Sequence, residues 1–317
     1  MVSSRIHRIV LSLVLLAGAG SLPAGCGHDA SPIAGGDAGP PIDPNASDEK
    51  LFQEGLALYN QKMFAQAAAK FDLLLTTYPT SVRHDNAGYL TGRASYEQML
   101  YPEAISKLAT MLAAHPGSPF VGSAHYFTGR SRFQQGDFAG SVADFRASVQ
   151  AAPAGTYADN AQYYLGRSLY ESGDFAGART ELDRFEATYP TSSYMDNGRY
   201  YLGRAHFDAG DFAGAVAPFQ RVLTITGAKF ADDAQYYLGR SHYAVADLTG
   251  ALADLQKVVS TYPQSQYVDN ALYYQVRIHA DRAECPAAHS AYNQLQASFP
   301  ASPELPLASS YISGKGC

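Results

Sequence analysis

From residue 48 to residue 302 the apolar and polar positions recur with a fixed period. The marker is a glycine, or a valine in the last copy: Gly55, Gly92, Gly129, Gly166, Gly203, Gly239 and Val276, spaced by 37 residues with one spacing of 36. Twelve positions after each marker stands a small residue (Ala67, Ala104, Ser141, Ala178, Ala215, Ala251, Ala288), and sixteen after it a large one (Phe71, Leu108, Phe145, Leu182, Phe219, Leu255, Tyr292). The two lie one helical turn apart on one face, which predicts that small and large side chains interlock between packed helices. Twenty-four positions after the marker comes Pro79, Pro116, Pro153, Pro190, Gly227, Pro263 or Pro300, residue types that end helices. Each copy therefore reads as helix, turn, helix, stop. A lone helix pair cannot bury its apolar face, so the copies must stack on one another.

The turn reads Gly136-Asp137-Phe138, Gly173-Asp174-Phe175 and Gly210-Asp211-Phe212 in the middle copies, where glycine can take the left-handed conformation that closes a helix. Ser81, Ser118, Ser192, Ser265 and Ser302 each fall two residues after the stop proline. A serine there suits a helix N-cap and predicts a first helix about one turn longer than usual. Asp85, Asp159, Asp196, Asp232 and Asp269 then sit near the helix N-terminus, where the macrodipole favours an anion.

This order of Gly, small, aromatic and Pro resembles the tetratricopeptide repeat, with the marker at phase 8 of the unit. The resemblance implies an all-α fold: a right-handed α-solenoid of about seven helix-turn-helix units over residues 48–302, with residues 303–317 as a short C-terminal capping helix and tail. Proteins of this family turn phases 2, 5, 9 and 12 of the first helix into a concave groove. Here those phases are strongly patterned. Phase 2 includes Asn160 and Asn197, phase 5 Tyr163, Tyr200 and Tyr236, phase 9 Arg167, Arg204 and Arg240, and phase 12 Tyr170, Phe207 and Tyr243. Tyr and Arg dominate binding hot spots and Asn can grip a backbone in both directions, so these residues are candidates to hold a protein or peptide partner. The alternative is that each Arg stacks on the Tyr of an adjacent helix and pairs with a nearby acid, holding unit to unit. Near-identity of the phases from copy to copy favours that alternative for most of them. Breaks in the pattern, at Ser123, Ala280 and Val276, are where a copy-specific role would show.

The chain begins with basic residues at Arg5, His7 and Arg8, and an apolar run from Ile9 to Gly20 that is too short to span a membrane, the pattern of a secretory signal. It leads into Leu22-Pro23-Ala24-Gly25-Cys26, which resembles the lipobox of bacterial lipoproteins, with residues 1–25 removed and Cys26 carrying the lipid. Pro23 departs from the branched or leucine side chain usual at its position, and the alternative is an ordinary signal peptide that releases a soluble periplasmic protein. Residues 26–47 would then be the lipidated cysteine and a Gly-, Pro- and Ala-rich tether. Gly27 after the cysteine favours delivery to the outer membrane, with the domain facing the periplasm. With Cys26 assigned to lipid, Cys285 and Cys317 remain as an even pair in a compartment that permits disulfides. A bridge would pin the last helix over the open end of the stack; two free thiols are the alternative.

Composition narrows the chemistry. A net charge of −6 and a pI near 5.8 argue against nucleic acid. There is no nucleophile-base arrangement, phosphate loop or metal-ligand spacing, so neither catalytic residues nor a cofactor, metal or small-molecule substrate are expected. His206, His242 and His279 recur at phase 11 but belong to successive units, too far apart to share one metal.

The string Asp159-Asn160-Ala161-Gln162-Tyr163-Tyr164-Leu165-Gly166-Arg167, echoed from Asp196 and Asp232, together with Tyr78-Pro79, Tyr189-Pro190 and Tyr262-Pro263, resembles the envelope tetratricopeptide lipoproteins. One branch is the BamD-like component of β-barrel assembly, the other the YbgF-like coordinator of the Tol-Pal system. The lipid cysteine and short tether favour the first, and the coiled-coil segment that precedes the repeats in the second is missing. The resemblance implies a non-enzymatic, lipid-anchored scaffold that touches the membrane through its lipid only. A division or peptidoglycan-linked coordinator is the alternative, and a cell-wall-acting enzyme a more remote one.

Overall fold

Fifteen helices and no strand make up residues 47–317, the part of the chain that the computed structural model describes. The signal sequence, Cys26 and the tether lie outside the described residues. The first unit is α1 (Ser47–Asn60) with α2 (Phe64–Thr77), the second α3 (His84–Glu97) with α4 (Tyr101–Ala114), and the third α5 (Val121–Gln134) with α6 (Phe138–Ala151). The fourth is α7 (Ala158–Glu171) with α8 (Phe175–Thr188), and the fifth α9 (Met195–Asp208) with α10 (Phe212–Leu223). The sixth is α11 (Ala231–Ala244) with α12 (Leu248–Thr261), the seventh α13 (Val268–Asp281) with α14 (Cys285–Ser298), and α15 (Glu304–Gly314) closes the end. This is the all-helical repeat solenoid that the sequence period predicts.

The marker glycines are explained by the second helix of their own unit. A Cβ at Gly92, Gly166 or Gly203 would lie 2.5 to 2.6 Å from Leu108, Leu182 or Phe219, so only hydrogen leaves room for the large side chain sixteen residues on. The small residues serve the next unit. Ala67, Ala104, Ala178, Ala215, Ala251 and Ala288 are fully buried, and in the third copy the Ser141 hydroxyl hydrogen-bonds that of Ser168 on α7 at 2.8 Å. Each second helix thus packs against the first helix of the following unit. Neighbouring first helices also touch, from α3 with α5 through to α13 with α15, whereas second helices are held apart by the first helix between them. The units approach most closely on their first-helix side.

The long period does not come from a long first helix. First helices are fourteen residues in every unit, as are the second helices apart from α10, and the excess lies in the six-residue connections such as 78–83 and 115–120. The reading of the connection serines as helix N-caps is corrected accordingly. The Ser81, Ser118 and Ser192 hydroxyls accept the backbone N–H two residues on, at 3.1 to 3.2 Å. They also donate to Asp48, Asp85 and Asp159 at 2.6 to 2.7 Å, and Ser302 donates to Asp269 at 2.8 Å. Each such aspartate stands in the first turn of the helix that opens the unit, so the exit of a unit is tied back to its own entrance. In the third copy both partners are absent together, replaced by Gly122 and Gly155. In the fifth the backbone N–H of Lys229 replaces the serine, 2.9 Å from Asp196. That fifth unit has one residue fewer because α10 is two residues shorter than the other second helices and the connection after it, 224–230, is one residue longer.

The turns share one geometry whatever their sequence. Gly136, Gly173 and Gly210 take φ of +79°, +86° and +80°, and Lys62, Met99, Ala246 and Ala283 take φ between +57° and +64° at the equivalent positions. An aspartate then caps the second helix in four units, Asp137, Asp174, Asp211 and Asp247 accepting the N–H three residues on at 2.9 to 3.0 Å.

At the C-terminal end, α15 lies against α13 and α14 and buries Ala308 and Ile312 with Leu272, Val276 and Leu295. A disulfide joins Cys285 to Cys317, with Cα atoms 5.0 Å apart. No helix among the described residues is long and apolar enough to cross a membrane.

Candidate functional site

The phase-9 arginines run along the first-helix wall, each held between two rings from neighbouring units. Arg167 lies 4.8 Å from the Phe133 ring of the unit before and 4.8 Å from the Tyr201 ring of the unit after. Arg204 is 5.7 Å from Tyr170 and 4.3 Å from Tyr237, and Arg240 4.9 Å from Phe207 and 5.2 Å from Tyr274. The arrangement continues into the cap, where Arg277 sits 4.9 Å from Tyr243 and 4.8 Å from Tyr311 of α15. A guanidinium stacks well between aromatic faces because it is planar and weakly hydrated. Carboxylates one turn on complete the bridge: Arg167 to Glu171 at 3.4 Å and Arg204 to Asp208 at 3.0 Å. Acids on this wall also bind across units, with the Tyr170 hydroxyl donating to Asp208 at 2.6 Å and that of Tyr243 to Asp281 at 2.7 Å. Burial works against the charged form of Arg167, but the surrounding phenols outweigh it and hold the guanidinium further towards the charged state.

A second ladder runs beside the first. The phase-5 rings stack flat on aromatics that precede the next first helix: Tyr163 on Tyr194 at 4.7 Å, Tyr200 on Phe230 at 4.4 Å and Tyr236 on Tyr267 at 4.4 Å. The sequence reading missed these connection aromatics and the phase-6 rings Tyr164, Tyr201, Tyr237 and Tyr274. Their signal was present, as the Tyr-Tyr doublets of the first helices and an aromatic three or four residues after the stop.

These contacts divide the candidate residues. Tyr163, Tyr200, Tyr236, Phe207 and Asn160 are buried, between 1 and 9 % exposed, so their surfaces are used inside the stack rather than offered to a partner. Asn160 donates to the Tyr126 hydroxyl of the unit before at 3.4 Å. Arg167, Tyr170, Asn197, Arg204, Arg240 and Tyr243 are half-buried and keep part of their surface open. The repeated histidines are occupied singly: His206 pairs with Asp211 at 2.7 Å, His242 with Asp254 at 2.8 Å and His279 with Glu284 at 2.6 Å. Among the described residues no three His, Cys, Asp or Glu side chains converge as metal ligands.

A stack of helix pairs with an aromatic and arginine wall defines a tetratricopeptide-type repeat protein. The family model described as YfiO, an outer membrane lipoprotein, matches residues 44–137 and 122–274. The chain belongs to that family. Among solved structures it is similar to the C-terminal part of a tetratricopeptide-repeat protein from Cytophaga hutchinsonii, at 16% identity and a TM-score of 0.63 over 81% of this chain and 98% of that one. A tetratricopeptide repeat protein from Parabacteroides merdae aligns at 13% identity and a TM-score of 0.52 over 86% of this chain and 99% of that one. MamA from Desulfovibrio magneticus aligns at 16% identity and a TM-score of 0.50 over 58% of this chain and 98% of that one. These likenesses concern the fold. No curated protein matches the chain in sequence.

Proposed function

We propose that this chain is a non-enzymatic scaffold, anchored by a lipid on Cys26 to the periplasmic side of the outer membrane, that holds a protein or peptide partner during β-barrel assembly. The observation that carries the reading is the match to an outer membrane lipoprotein family across residues 44–274, the same stretch that builds most of the repeat stack. The Asp-Asn-Ala-Gln-Tyr-Tyr-Leu-Gly-Arg string resembles the envelope tetratricopeptide lipoproteins, and within them the lipid cysteine and short tether favour the BamD-like assembly role. The close approach of neighbouring first helices supports a concave wall on that side. Along it, the open parts of Arg167, Tyr170, Asn197, Arg204, Arg240 and Tyr243 offer the mixture of cation, amide and aromatic edge that suits a polypeptide. The membrane is met through the lipid alone, with no cofactor, nucleic acid or small-molecule substrate.

The test is purification of the full chain from membranes of its host after mild crosslinking. Recovery of β-barrel-assembly subunits supports the proposal; recovery of Tol-Pal components instead transfers the chain to a division-linked coordinating role. Cys26→Ser should move the protein from the membrane to the soluble fraction, and a variant that stays membrane-bound removes the lipid anchor from the proposal.

A further inference from the structure

The repeats act as internal controls for one another, and one unit departs from the rest. Helix α5 is the one first helix of the seven that carries no Asp or Glu; α1 carries three and each of the others two. Gly122 replaces the first-turn aspartate, Ser123 the amide or acid that follows it, and Gln134 the acid one turn beyond the wall arginine. In the fourth and fifth units that last acid binds Nε of the arginine, at 3.4 Å for Arg167 and 3.2 Å for Arg204. In the third, Arg130 Nε is buried without a hydrogen-bond partner among the described residues, as are those of Arg93, Arg240 and Arg277; what sets Arg130 apart is that its own helix offers no acid at all. Arg130 otherwise donates to the Tyr126 hydroxyl at 2.7 Å and lies 5.7 Å from the Tyr96 ring and 4.2 Å from that of Tyr164. The acids nearest in sequence on the neighbouring wall are engaged, Glu97 by Arg93 and Asp85 by Ser118. Arg240 also lacks an acid one turn on, having Ala244 there, but Glu304 of α15 lies close enough to feel its charge.

From this we infer that Arg130 receives a carboxylate from an acidic side chain of an otherwise neutral peptide segment, which completes in trans the pairing that Glu171 and Asp208 make in cis. The inference rests on the scaffold reading above. A half-buried guanidinium that lacks a counter-ion gains more from a carboxylate than an exposed one does. Charge also selects the occupant. The first helices on either side, α3 and α7, are each net negative by one, and of the two cations on α5 Arg132 pairs with Asp144 at 2.6 Å, which leaves Arg130 as the wall charge there without an acid on its own helix. A long polyanion such as nucleic acid would be repelled on both flanks, whereas an isolated acid is not.

The test uses the full chain in detergent and two fluorescein-labelled peptides, Tyr-Gln-Phe-Glu-Tyr-Gln-Phe and its twin with Gln in place of Glu, read by fluorescence anisotropy. The Glu peptide should bind about tenfold tighter, the scale of one charge-assisted hydrogen bond. Gln134→Glu, at an exposed position, supplies the missing acid in cis and leaves Arg130 in place. It should abolish the preference without changing affinity for the neutral peptide, and Arg130→Gln should likewise abolish the preference. Equal affinity for the two peptides, binding of neither, or a preference that survives Gln134→Glu would each overturn the inference. So would competition by double-stranded DNA or anionic vesicles that outmatches the Glu peptide. If barrel-assembly subunits co-purify with the wild-type chain but the peptides show no preference, Arg130 is wrong and the scaffold stands. If no such subunits co-purify, the scaffold reading itself fails.

Discussion

Gly166 on α7 faces Leu182 on α8 so closely that a Cβ on the glycine would stand 2.5 Å from the leucine Cγ. Replacing Gly166 by Ala should therefore destabilise the protein by about 1–3 kcal/mol, the usual cost of overpacking a filled core, although alanine is the better helix former. Combining it with Leu182→Ala, which alone should cost about 2–5 kcal/mol, should cost less than the two changes summed. Urea denaturation followed by circular dichroism reads both. A Gly166→Ala variant as stable as the wild type would show that the marker is not a steric requirement.

That pairing was legible in the sequence because it lies within one unit, at a fixed offset of sixteen residues. So were the period, the turns and the number of helices. What escaped were relationships whose partners lie in different units. Tyr201 is an ordinary core candidate on its own helix, and its role as a lid on Arg167 appears only when α9 is set beside α7. The serines were misread for a similar reason: a hydroxyl two residues after a proline suits a cap, and its bond to an aspartate 33 residues earlier is set by how the unit closes. The candidate site was half legible. Phase arithmetic found the wall, but the connection rings that cover Tyr200 and Tyr236 left fewer side chains open than the helical wheel alone implies.

Met99 occupies the turn position that is glycine in the middle units, with φ at +61°, and is itself 67% exposed. Its side chain contributes little packing to set against the strained backbone. Met99→Gly should stabilise the protein by about 0.5–1 kcal/mol, the relief of left-handed strain being partly offset by a more flexible unfolded chain. Gly173→Ala should shift stability the other way. Melting temperatures of the two variants check the pair, and a destabilised Met99→Gly would show that the methionine side chain matters more than its backbone.

Burial pushes the Asp144 carboxyl up to about 6, against the pull of Arg132, whose guanidinium it accepts at 2.6 Å. The folded protein then holds a proton that the unfolded chain has released between about pH 4 and pH 6. Stability contributed by this group is accordingly lost as pH rises through that window. Asn at position 144 cannot titrate, so the stability difference between wild type and Asp144→Asn should shift in favour of the variant as pH rises from 4 to 6.5. Urea midpoints at several pH values measure it; a difference that stays constant would place the carboxyl at its ordinary value.

Arg167 tests the wall as a structural element. Replacing it with Met keeps an apolar stem but removes the charged guanidinium held between Phe133 and Tyr201 and bridged to Glu171. A double-mutant cycle with Tyr201→Leu should return a coupling of about 0.5–2 kcal/mol. Stacked units share stability with their neighbours, so hydrogen exchange should quicken in α5 and α9 as well as in α7. Exchange that quickens nowhere, with a coupling near zero, would mean that the arginine is held by its surroundings without supporting them.

The Cys285–Cys317 bridge spans 32 residues of sequence and encloses α15. Chain-entropy reasoning gives such a loop about 3.5 kcal/mol of stabilisation, and in a stack whose units contact only their neighbours the benefit should stay local. Cys317→Ser should therefore raise hydrogen exchange across residues 304–317 and in α13 while leaving α3 to α8 as they were. The residual grip of the cap can be followed in the same experiment, because Tyr311 donates to Asp281 at 2.7 Å and Lys315 pairs with Asp281 at 2.7 Å, contacts that do not need the bridge. If α15 exchanges no faster in Cys317→Ser, those contacts and the buried Ala308 and Ile312 hold it unaided. If exchange quickens throughout the array, the end of the stack governs units far from it, and the nearest-neighbour description of this solenoid fails.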